Sequence, residues 1–168
     1  MDNSFHMKII ENFITSTDCT NLINFIEEKD KNKELIIAED GRKIFNKNDF
    51  LISKIIEKSI SKIKKIYNMD FDIKEHIVWL VKYQNTKNLP LHTDIITEEC
   101  KKDYLSSVIY LNNNYTGGEI VYPNLNKIIH PFKKSAIIMD IHDKMYEHSV
   151  NSVTNGIKYI MPICFYKL

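Results

Sequence analysis

Hydrophobic residues change their spacing near residue 72 of this 168-residue chain. Before that point they recur at three- and four-residue steps in two segments, which predicts two amphipathic helices. The first is TSTDCTNLINFIEE, with Ser16 or Thr17 as its N-cap, and the second is KNDFLISKIIEKSISKIKKIY. A short strand over Lys8 to Phe13 precedes them. Residues 1 to about 72 are therefore predicted to form a helical support for the rest of the chain.

From Ile73 onward apolar residues alternate with polar ones, which predicts short strands. Turn signals such as NNNYTGG, PNLN and TNG separate the strand segments, which are IKEHIVWLVKYQ, DYLSSVIYLN, EIVYP, NKIIHP, SAIIMD, MYEHSV and IKYIMPICFY. Seven or eight such strands indicate a sandwich, jelly roll or barrel. Pro162 within the last segment indicates an edge strand or a bulge. We expect one domain over residues 1–168, mainly β with N-terminal helices (α+β), whose β core covers about residues 73–168.

The overall composition is typical of a globular protein with a buried core. The chain has 23 basic and 22 acidic residues and a net charge of +1, which gives no electrostatic case for binding nucleic acid or an anionic membrane. No apolar run approaches the roughly 18–20 residues of a membrane span, and the first residues lack the layout of a signal peptide. The three cysteines have no metal-like spacing and do not suggest a disulfide framework, so we expect a cytoplasmic location.

In the segment PLHTDII, one residue separates His92 from Asp94. In an extended segment both side chains leave the same face, with Cα atoms about 6–7 Å apart, so one metal ion can contact both. His148, on a late predicted strand, is the best candidate for a third ligand, and His142 is a rival. Two histidines and one carboxylate on a β scaffold form the facial triad that holds non-haem Fe(II) and leaves coordination positions open.

Lys158 occupies an otherwise apolar strand, where burying an ammonium group is costly unless it is paired. Fe(II) bound to Asp94 keeps a net positive charge, and Lys158 adds another. A dianion that chelates the metal at one end and meets Lys158 with its distal carboxylate fits this arrangement, and 2-oxoglutarate is such a diacid. In a flat hairpin turning at Asn155-Gly156, Lys158 would lie about 16 Å above the level of His148. We therefore expect the two strands to lie in opposing sheets around a shared cavity.

Taken together, these segments resemble the 2-oxoglutarate- and Fe(II)-dependent dioxygenases, and specifically the prolyl 4-hydroxylase-like group, from about Ile9 to Tyr166. VKYQNTKNLPLHTD is similar to that family's Tyr-then-HxD segment, and SSVIYLNNNYTGGEIVYP is similar to its YLN strand and Gly-Gly-Glu hairpin. HSVNSVTNGIKY is similar to the segment with its distal histidine and cosubstrate lysine. The resemblance implies a double-stranded β-helix, a cupin-like jelly roll, flanked by N-terminal helices.

The resemblance also implies roles for six side chains. It assigns His92, Asp94 and His148 to the catalytic iron, and Lys158, Tyr83 and Ser106 to the cosubstrate pocket. Lys158 would meet the distal carboxylate of the cosubstrate, and the Tyr83 hydroxyl would line the pocket. Ser106 stands where a pocket threonine is common and can still donate a hydrogen bond. The implied cofactors are Fe(II), 2-oxoglutarate and O₂, with ascorbate as a candidate reductant.

The sequence departs from the family at positions that concern the substrate. Leu89 and Cys164 stand where aromatic residues are usual, Tyr104 falls about where a basic residue is common, and PFKKS replaces a Pro-x-x-Gly segment. The residues expected to bind a peptidyl proline are thus changed, whereas those for iron and cosubstrate are intact. Four aromatic residues are candidate replacements, although each also suits the core: Trp79, Tyr110, Tyr122 and Tyr146.

The function these patterns favour is hydroxylation of a C–H bond, with a peptidyl proline as the leading substrate. The same chemistry on a free amino acid or another small molecule is the alternative. A non-catalytic jelly-roll binding module is an alternative of a different class, which the intact triad and Lys158 argue against. A metal-dependent hydrolase is less favoured still, because no general base is paired with the triad. The sequence does not specify an oligomeric state.

Overall fold

The computed structural model of the chain describes residues 6–46, 49–95 and 103–168. Within these ranges the backbone forms two α-helices, two short 3-10 helices and fourteen β-strands. The helices are α1 (Ser16–Lys31) and α2 (Phe50–Tyr67), and the 3-10 helices are Pro123–Leu125 and Lys144–Tyr146. The strands are β1 (Lys8–Ile10), β2 (Ile36–Ile37), β3 (Lys43–Phe45), β4 (Ile73–Val78), β5 (Leu80–Tyr83), β6 (Leu89–His92), β7 (Asp103–Tyr110), β8 (Tyr115–Gly117), β9 (Ile120–Tyr122), β10 (Lys127–Ile129), β11 (Ala136–Asp140), β12 (His148–Val150), β13 (Val153–Gly156) and β14 (Lys158–Lys167).

Helix α1 begins one residue earlier than the sequence pattern predicts. Its N-cap is Thr15, not Ser16 or Thr17. The Thr15 hydroxyl accepts a hydrogen bond from the backbone N–H of Asp18 at 3.0 Å, and the Asp18 carboxylate accepts one from the Thr15 N–H at 3.1 Å. This reciprocal capping box satisfies two N–H groups that a helix start would otherwise leave unpaired, which is why the cap falls at Thr15.

Helix α2 begins after Asp49, whose carboxylate accepts a hydrogen bond from the N–H of Leu51 at 2.9 Å. It ends at Asn68, which adopts the left-handed conformation with φ of 50°, a common helix terminator. The buried residues Ile52, Ile55, Ile56, Ser59 and Ile63 recur on one face of the helix, as predicted. Neither described helix is long and apolar enough to cross a membrane.

The described strands pair mainly antiparallel in two large sheets and one small one. The larger sheet has the order β1-β11-β7-β14-β5-β3-β2, with β4 also pairing with β14. The smaller has the order β10-β9-β12-β6, and β13 pairs with β8 as a two-stranded ribbon. The chain is therefore mainly β with N-terminal helices, in agreement with the predicted fold class.

Each face of the larger sheet has a separate apolar cluster. One face packs against α1 and α2, and alternate strand residues such as Leu80, Leu105 and Ile109 point toward the helices. On the other face, Val81, Val108 and Tyr110 join residues of the smaller sheet. The larger sheet is thus covered on both sides, and the space between the two large sheets contains the candidate site.

Several local predictions are wrong. The opening strand ends at Ile10 and does not reach Phe13. The turn signal TNG does not mark a turn, because Asn155 and Gly156 belong to β13, which pairs with β8. Of the two alternatives for Pro162, only the edge strand is wrong, because Pro162 lies in a central strand. Its carbonyl accepts a hydrogen bond from the N–H of Trp79 at 3.0 Å. The missing N–H of Pro162 is tolerated there because Trp79 lies in the break between β4 and β5.

Candidate metal centre and cosubstrate pocket

His92 and His148 lie side by side because their strands are neighbours in the smaller sheet. Strands β6 and β12 are antiparallel, and these two residues are direct partners across the ladder. Their ring centroids are 4.5 Å apart. Asp94 follows two residues after the end of β6, so the extended segment assumed from the sequence ends at His92. The carboxylate nevertheless faces both rings.

The three predicted metal ligands converge on one point. Oδ1 of Asp94 is 3.9 Å from Nε2 of His92 and 3.8 Å from Nε2 of His148. One ligand atom from each residue lies within 4.8 Å of the other two, and no other group of three such residues is found in the described ranges. The rival His142 is not part of the cluster and is exposed. The donor set, two imidazole nitrogens and a carboxylate oxygen, suits Fe(II).

Backbone contacts orient both imidazole rings. Nδ1 of His92 is 2.8 Å from the carbonyl oxygen of Pro90, and Nδ1 of His148 is 3.0 Å from that of Tyr146. Because a carbonyl oxygen only accepts hydrogen bonds, Nδ1 must carry the proton in both rings, and each Nε2 lone pair is free for a metal. Burial, and then the neighbouring His148, lower the pKa of His92. Both effects favour the neutral imidazole that a metal requires.

Ser106 contacts the metal cluster and not the space around Lys158. It extends from β7 and donates a hydrogen bond from its hydroxyl to Oδ2 of Asp94 at 2.5 Å. This contact occupies the carboxylate oxygen that faces away from the histidines and leaves Oδ1 for a cation. Its predicted role in the cosubstrate pocket stays a prediction, and the observed contact is that of a residue orienting a ligand.

Lys158 extends from β14 into the same cavity and is only 1% exposed. Its ammonium group donates a hydrogen bond to the carbonyl oxygen of Gly118 at 2.7 Å. Three tyrosine rings surround the ammonium nitrogen, with centroids at 5.1, 5.6 and 5.9 Å: those of Tyr83, Tyr110 and Tyr115. Burial lowers the pKa of Lys158 to about 7, which Glu119 only partly opposes. Among the described side chains, no carboxylate forms an ion pair with Lys158.

One cavity of about 330 Å³ connects the metal cluster with Lys158. Both large sheets contribute to its wall, as the argument from the position of Lys158 predicts: His148 comes from the smaller sheet and Lys158 from the larger. The predicted Tyr83 lines it, and so do Leu89 and Cys164, two of the positions that depart from the family. The side chain of the third, Tyr104, lies outside the described part of the chain. Of the four candidate aromatic residues, Trp79 and Tyr110 line the cavity.

The structure adds Arg42 and Tyr115, which the sequence did not single out for this site, and it places the candidate aromatic Tyr110 beside Lys158. Arg42 lines the cavity from the N-terminal half of the chain and forms an ion pair with Asp40. No sequence pattern near Arg42 connects it with the triad. Tyr110 and Tyr115 lie next to Lys158. Tyr110 follows Ser106 and Val108 in the two-residue period of β7, and that spacing could have placed it on the cavity face.

Comparison with known proteins agrees with this geometry. A 24% identical relative is a protein of Acanthamoeba polyphaga mimivirus provisionally named prolyl 4-hydroxylase, with the match covering 94% of this chain and 72% of the relative. A similar solved structure is the viral collagen prolyl hydroxylase of Paramecium bursaria Chlorella virus-1 in complex with 2-oxoglutarate (TM-score 0.76, 22% identity, 98% of this chain and 97% of that one). Another is a Trichoplax adhaerens prolyl hydroxylase bound to a peptide of hypoxia inducible factor (TM-score 0.74, 16% identity, 95% and 83%).

The structural matches show a shared fold, and the family itself is shown by a sequence model. The model of the 2OG-Fe(II) oxygenase superfamily matches residues 78–166, which is more than half of the chain. The matched segment contains all three residues of the metal cluster, together with Lys158 and Tyr83. Members of this family use Fe(II) and 2-oxoglutarate, and the donor set and buried cation described above suit both. The chain belongs to the 2OG-Fe(II) oxygenase superfamily.

Proposed function

We propose that this oxygenase binds Fe(II) through His92, Asp94 and His148, and binds the distal carboxylate of 2-oxoglutarate through Lys158. The observation that carries the proposal is the shared cavity, in which three metal-binding atoms and a buried ammonium face the same space, and no carboxylate of the described residues pairs with that ammonium. A dianion spanning the two positions would neutralise both. Tyr83, whose ring lies beside Lys158, completes the pocket.

We also propose that residues 1–168 form one domain, with a double-stranded β-helix as the core from about residue 73. The two facing antiparallel sheets with a ligand cavity between them support this architecture, as does the family match over residues 78–166. Cys19 and Cys164 are both buried, and Cys19 is a free thiol, which supports a reducing, cytoplasmic location. The third cysteine, Cys100, lies outside the described residues.

The protein's own part in the reaction is binding, orientation and the exclusion of water. When bound, iron and 2-oxoglutarate supply the oxidation: one oxygen atom of O₂ enters a substrate C–H bond as hydroxyl, and the other enters succinate as CO₂ is lost. Nε2 of His92, Nε2 of His148 and Oδ1 of Asp94 fix the metal position. Lys158 fixes the opposite end of the cosubstrate, and the apolar wall of the cavity keeps water out.

For the substrate we propose a peptidyl proline. The mimivirus relative is named for that activity, and the Trichoplax enzyme holds a peptide. Apolar groups on the cavity wall suit a pyrrolidine ring, among them Ile44, Ile77 and Trp79. A free amino acid is the second candidate, favoured by Arg42, because a guanidinium on the same wall offers a partner for a free carboxylate.

The test is turnover of 2-oxoglutarate to succinate with Fe(II) and O₂, comparing proline-containing peptides with free amino acids. We expect peptide-dependent succinate and a product peptide with one added oxygen on proline. His148→Ala should abolish both, whereas His142→Ala, which removes an exposed histidine outside the cluster, should leave both unchanged. Turnover with free amino acids and none with peptides would replace the peptidyl substrate by the second candidate. Full activity in His148→Ala would contradict the assignment of His148 as an Fe(II) ligand.

A further inference from the structure

Arg42 is held rigidly by the turn between β2 and β3. The N–H of Ala38 donates to the carbonyl oxygen of Arg42 at 2.8 Å, and the N–H of Gly41 donates to that of Ala38 at 2.9 Å. Gly41 has φ of 89°, a conformation that favours glycine. Asp40 then accepts two hydrogen bonds from Arg42, one from its backbone N–H at 3.1 Å and one from Nε at 2.5 Å. One carboxylate therefore fixes both the backbone and the side chain of Arg42.

The register of the larger sheet directs this guanidinium to Tyr83. Strands β3 and β5 are antiparallel, with Lys43 opposite Lys82, so the next pair along the ladder sets Arg42 opposite Tyr83. The Arg42 guanidinium carbon is 5.8 Å from the Tyr83 ring centroid, and this positive charge opposes the rise that burial causes in the pKa of the Tyr83 phenol. Both side chains line the cavity, and only 18% of the Arg42 side chain is exposed.

Chemistry fixes which of these two neighbouring groups can donate a hydrogen bond to the other. A guanidinium has five N–H donors and no acceptor, so the Tyr83 oxygen must accept. The phenolic proton of Tyr83 must then point away from Arg42. No hydrogen bond donated by the Tyr83 hydroxyl is found among the described residues, and the ring lies 5.1 Å from the Lys158 ammonium. The proton is thus available to an anion that enters the cavity.

We propose that Arg42 is a positioning residue that acts through Tyr83. It holds the phenol so that the Tyr83 O–H donates to the carboxylate of the bound 2-oxo acid beside Lys158, while Asp40 keeps Arg42 in place. This inference rests on the proposed function, since it requires 2-oxoglutarate in this cavity. The competing possibility is that Arg42 contacts the ligand itself.

A double-mutant cycle on cosubstrate binding separates these two cases. Affinity for 2-oxoglutarate is measured without turnover, from the visible charge-transfer band of the anaerobic Fe(II) complex, for the unmodified protein, Arg42→Met, Tyr83→Phe and the double variant. We expect each single change to weaken binding about 10- to 100-fold, the size of one hydrogen bond to a charged group. The double variant should bind no more weakly than Tyr83→Phe alone. Lys87→Met, which removes an exposed charge near the same turn, should bind normally.

Losses that multiply in the double variant would show that Arg42 acts independently of Tyr83, and would overturn the inference. Normal binding by Arg42→Met would overturn it as well. Should Arg42→Met fail to fold, Asp40→Ala serves in the same cycle, because it removes the side chain that accepts from Nε of Arg42 and leaves the guanidinium in the protein. Absence of the band in the unmodified protein would overturn the proposed function and this inference together. A normal band in the unmodified protein, together with affinity losses that multiply in the double variant, would overturn only the inference about Arg42.

Discussion

Two buried lysines on adjacent strands have opposite environments. Lys82 on β5 and Lys158 on β14 are 5% and 1% exposed. In the β5–β14 ladder, Lys158 is opposite Tyr83, and Tyr159 is opposite Lys82. Successive residues of a strand point to opposite faces. Lys82 therefore extends toward α1, and Lys158 extends into the cavity between the sheets.

Lys82 is fully paired. Its ammonium nitrogen is 2.7 Å from a carboxylate oxygen of Glu27 and 2.8 Å from one of Asp30. Burial by itself would lower the pKa of Lys82, but the hydrogen bonds to the two carboxylates outweigh it and raise the pKa. Asp30 also pairs with Lys43 at 2.7 Å, and Glu27 accepts a hydrogen bond from the Tyr159 hydroxyl at 2.6 Å. This network ties α1 to three strands.

Lys158 has a carbonyl oxygen and aromatic rings where Lys82 has carboxylates, and burial lowers its pKa to about 7. A buried ammonium without a counter-charge destabilises the fold. A stabilising role thus explains Lys82 and does not explain Lys158. The partners, and not the burial, distinguish Lys158 from the structural Lys82, which supports the proposal that Lys158 binds an anionic ligand.

The largest expected effect comes from Lys158→Met. It should weaken 2-oxoglutarate binding by about 100-fold or more, because it removes the positive charge that faces the distal carboxylate. The free energy of unfolding should stay the same or rise by about 1 kcal/mol, since an unpaired buried charge is replaced by an apolar chain of similar length. Titration of the anaerobic Fe(II) protein and urea unfolding measure the two quantities. A large stability loss with normal binding would make Lys158 structural.

Lys82→Met should show the reverse pattern. It leaves Asp30 and Glu27 without one of their cations, and we expect the free energy of unfolding to fall by about 2 kcal/mol. The fall is less than for a fully buried pair, because the Glu27 side chain is 44% exposed. Affinity for 2-oxoglutarate should change less than about threefold. The same two measurements apply, and a selective loss of affinity would remove the distinction between the lysines.

The pH dependence of stability should also distinguish the two side chains. For Lys158 the pKa is about 7 in the folded chain and 10.5 ordinarily, so the unfolded chain binds more protons in that window. Stability should therefore rise with pH from about 7 toward 10, by at most about 1.4 kcal/mol per pH unit from this group. Lys82, with its raised pKa, contributes stability that is lost only above its ordinary pKa. Urea unfolding at several pH values should show the rise in the unmodified protein and a smaller one in Lys158→Met; equal slopes would contradict the assignment.

Sequence spacing predicts which candidate side chains lie close together, and their roles at the site stay predictions. His92 and Asp94 are one residue apart, and the distance argument for Lys158 and His148 predicts opposing sheets, which the structure shows. The helices follow from long periodic faces. Strands β2, β3, β6, β8 and β13 were missed, because segments of two to four residues are too short to show a two-residue period.

The sequence could not separate the two lysines, because both stand in apolar β segments. The partner of Lys82 is Asp30, 52 residues away on a helix, and nothing local to either lysine predicts a carboxylate. The contact between Arg42 and Tyr83 likewise depends on the pairing of β3 with β5. The sequence around Gly41 gives no indication of that pairing. Which side chains meet in these contacts is decided by strand pairing and helix packing in the folded chain, and not by local sequence patterns.

Gly118→Ala should have the smallest effect and, of the two lysines, contacts only Lys158, together with Val153 and Tyr115. A Cβ at Gly118 would lie 3.1 Å from Cδ of Lys158, and the backbone there has φ of 69°. The added methyl group should displace the lysine stem and weaken 2-oxoglutarate binding about 3- to 10-fold, with about 1 kcal/mol lost in stability from the strained backbone. The Lys82 network lies on the opposite face of the sheet and should be unaffected, so a further Lys82→Met change should add its full stability loss. Normal affinity in Gly118→Ala would show that the ammonium position tolerates a shift of the stem, and would weaken the case that Lys158 is held in place for its ligand.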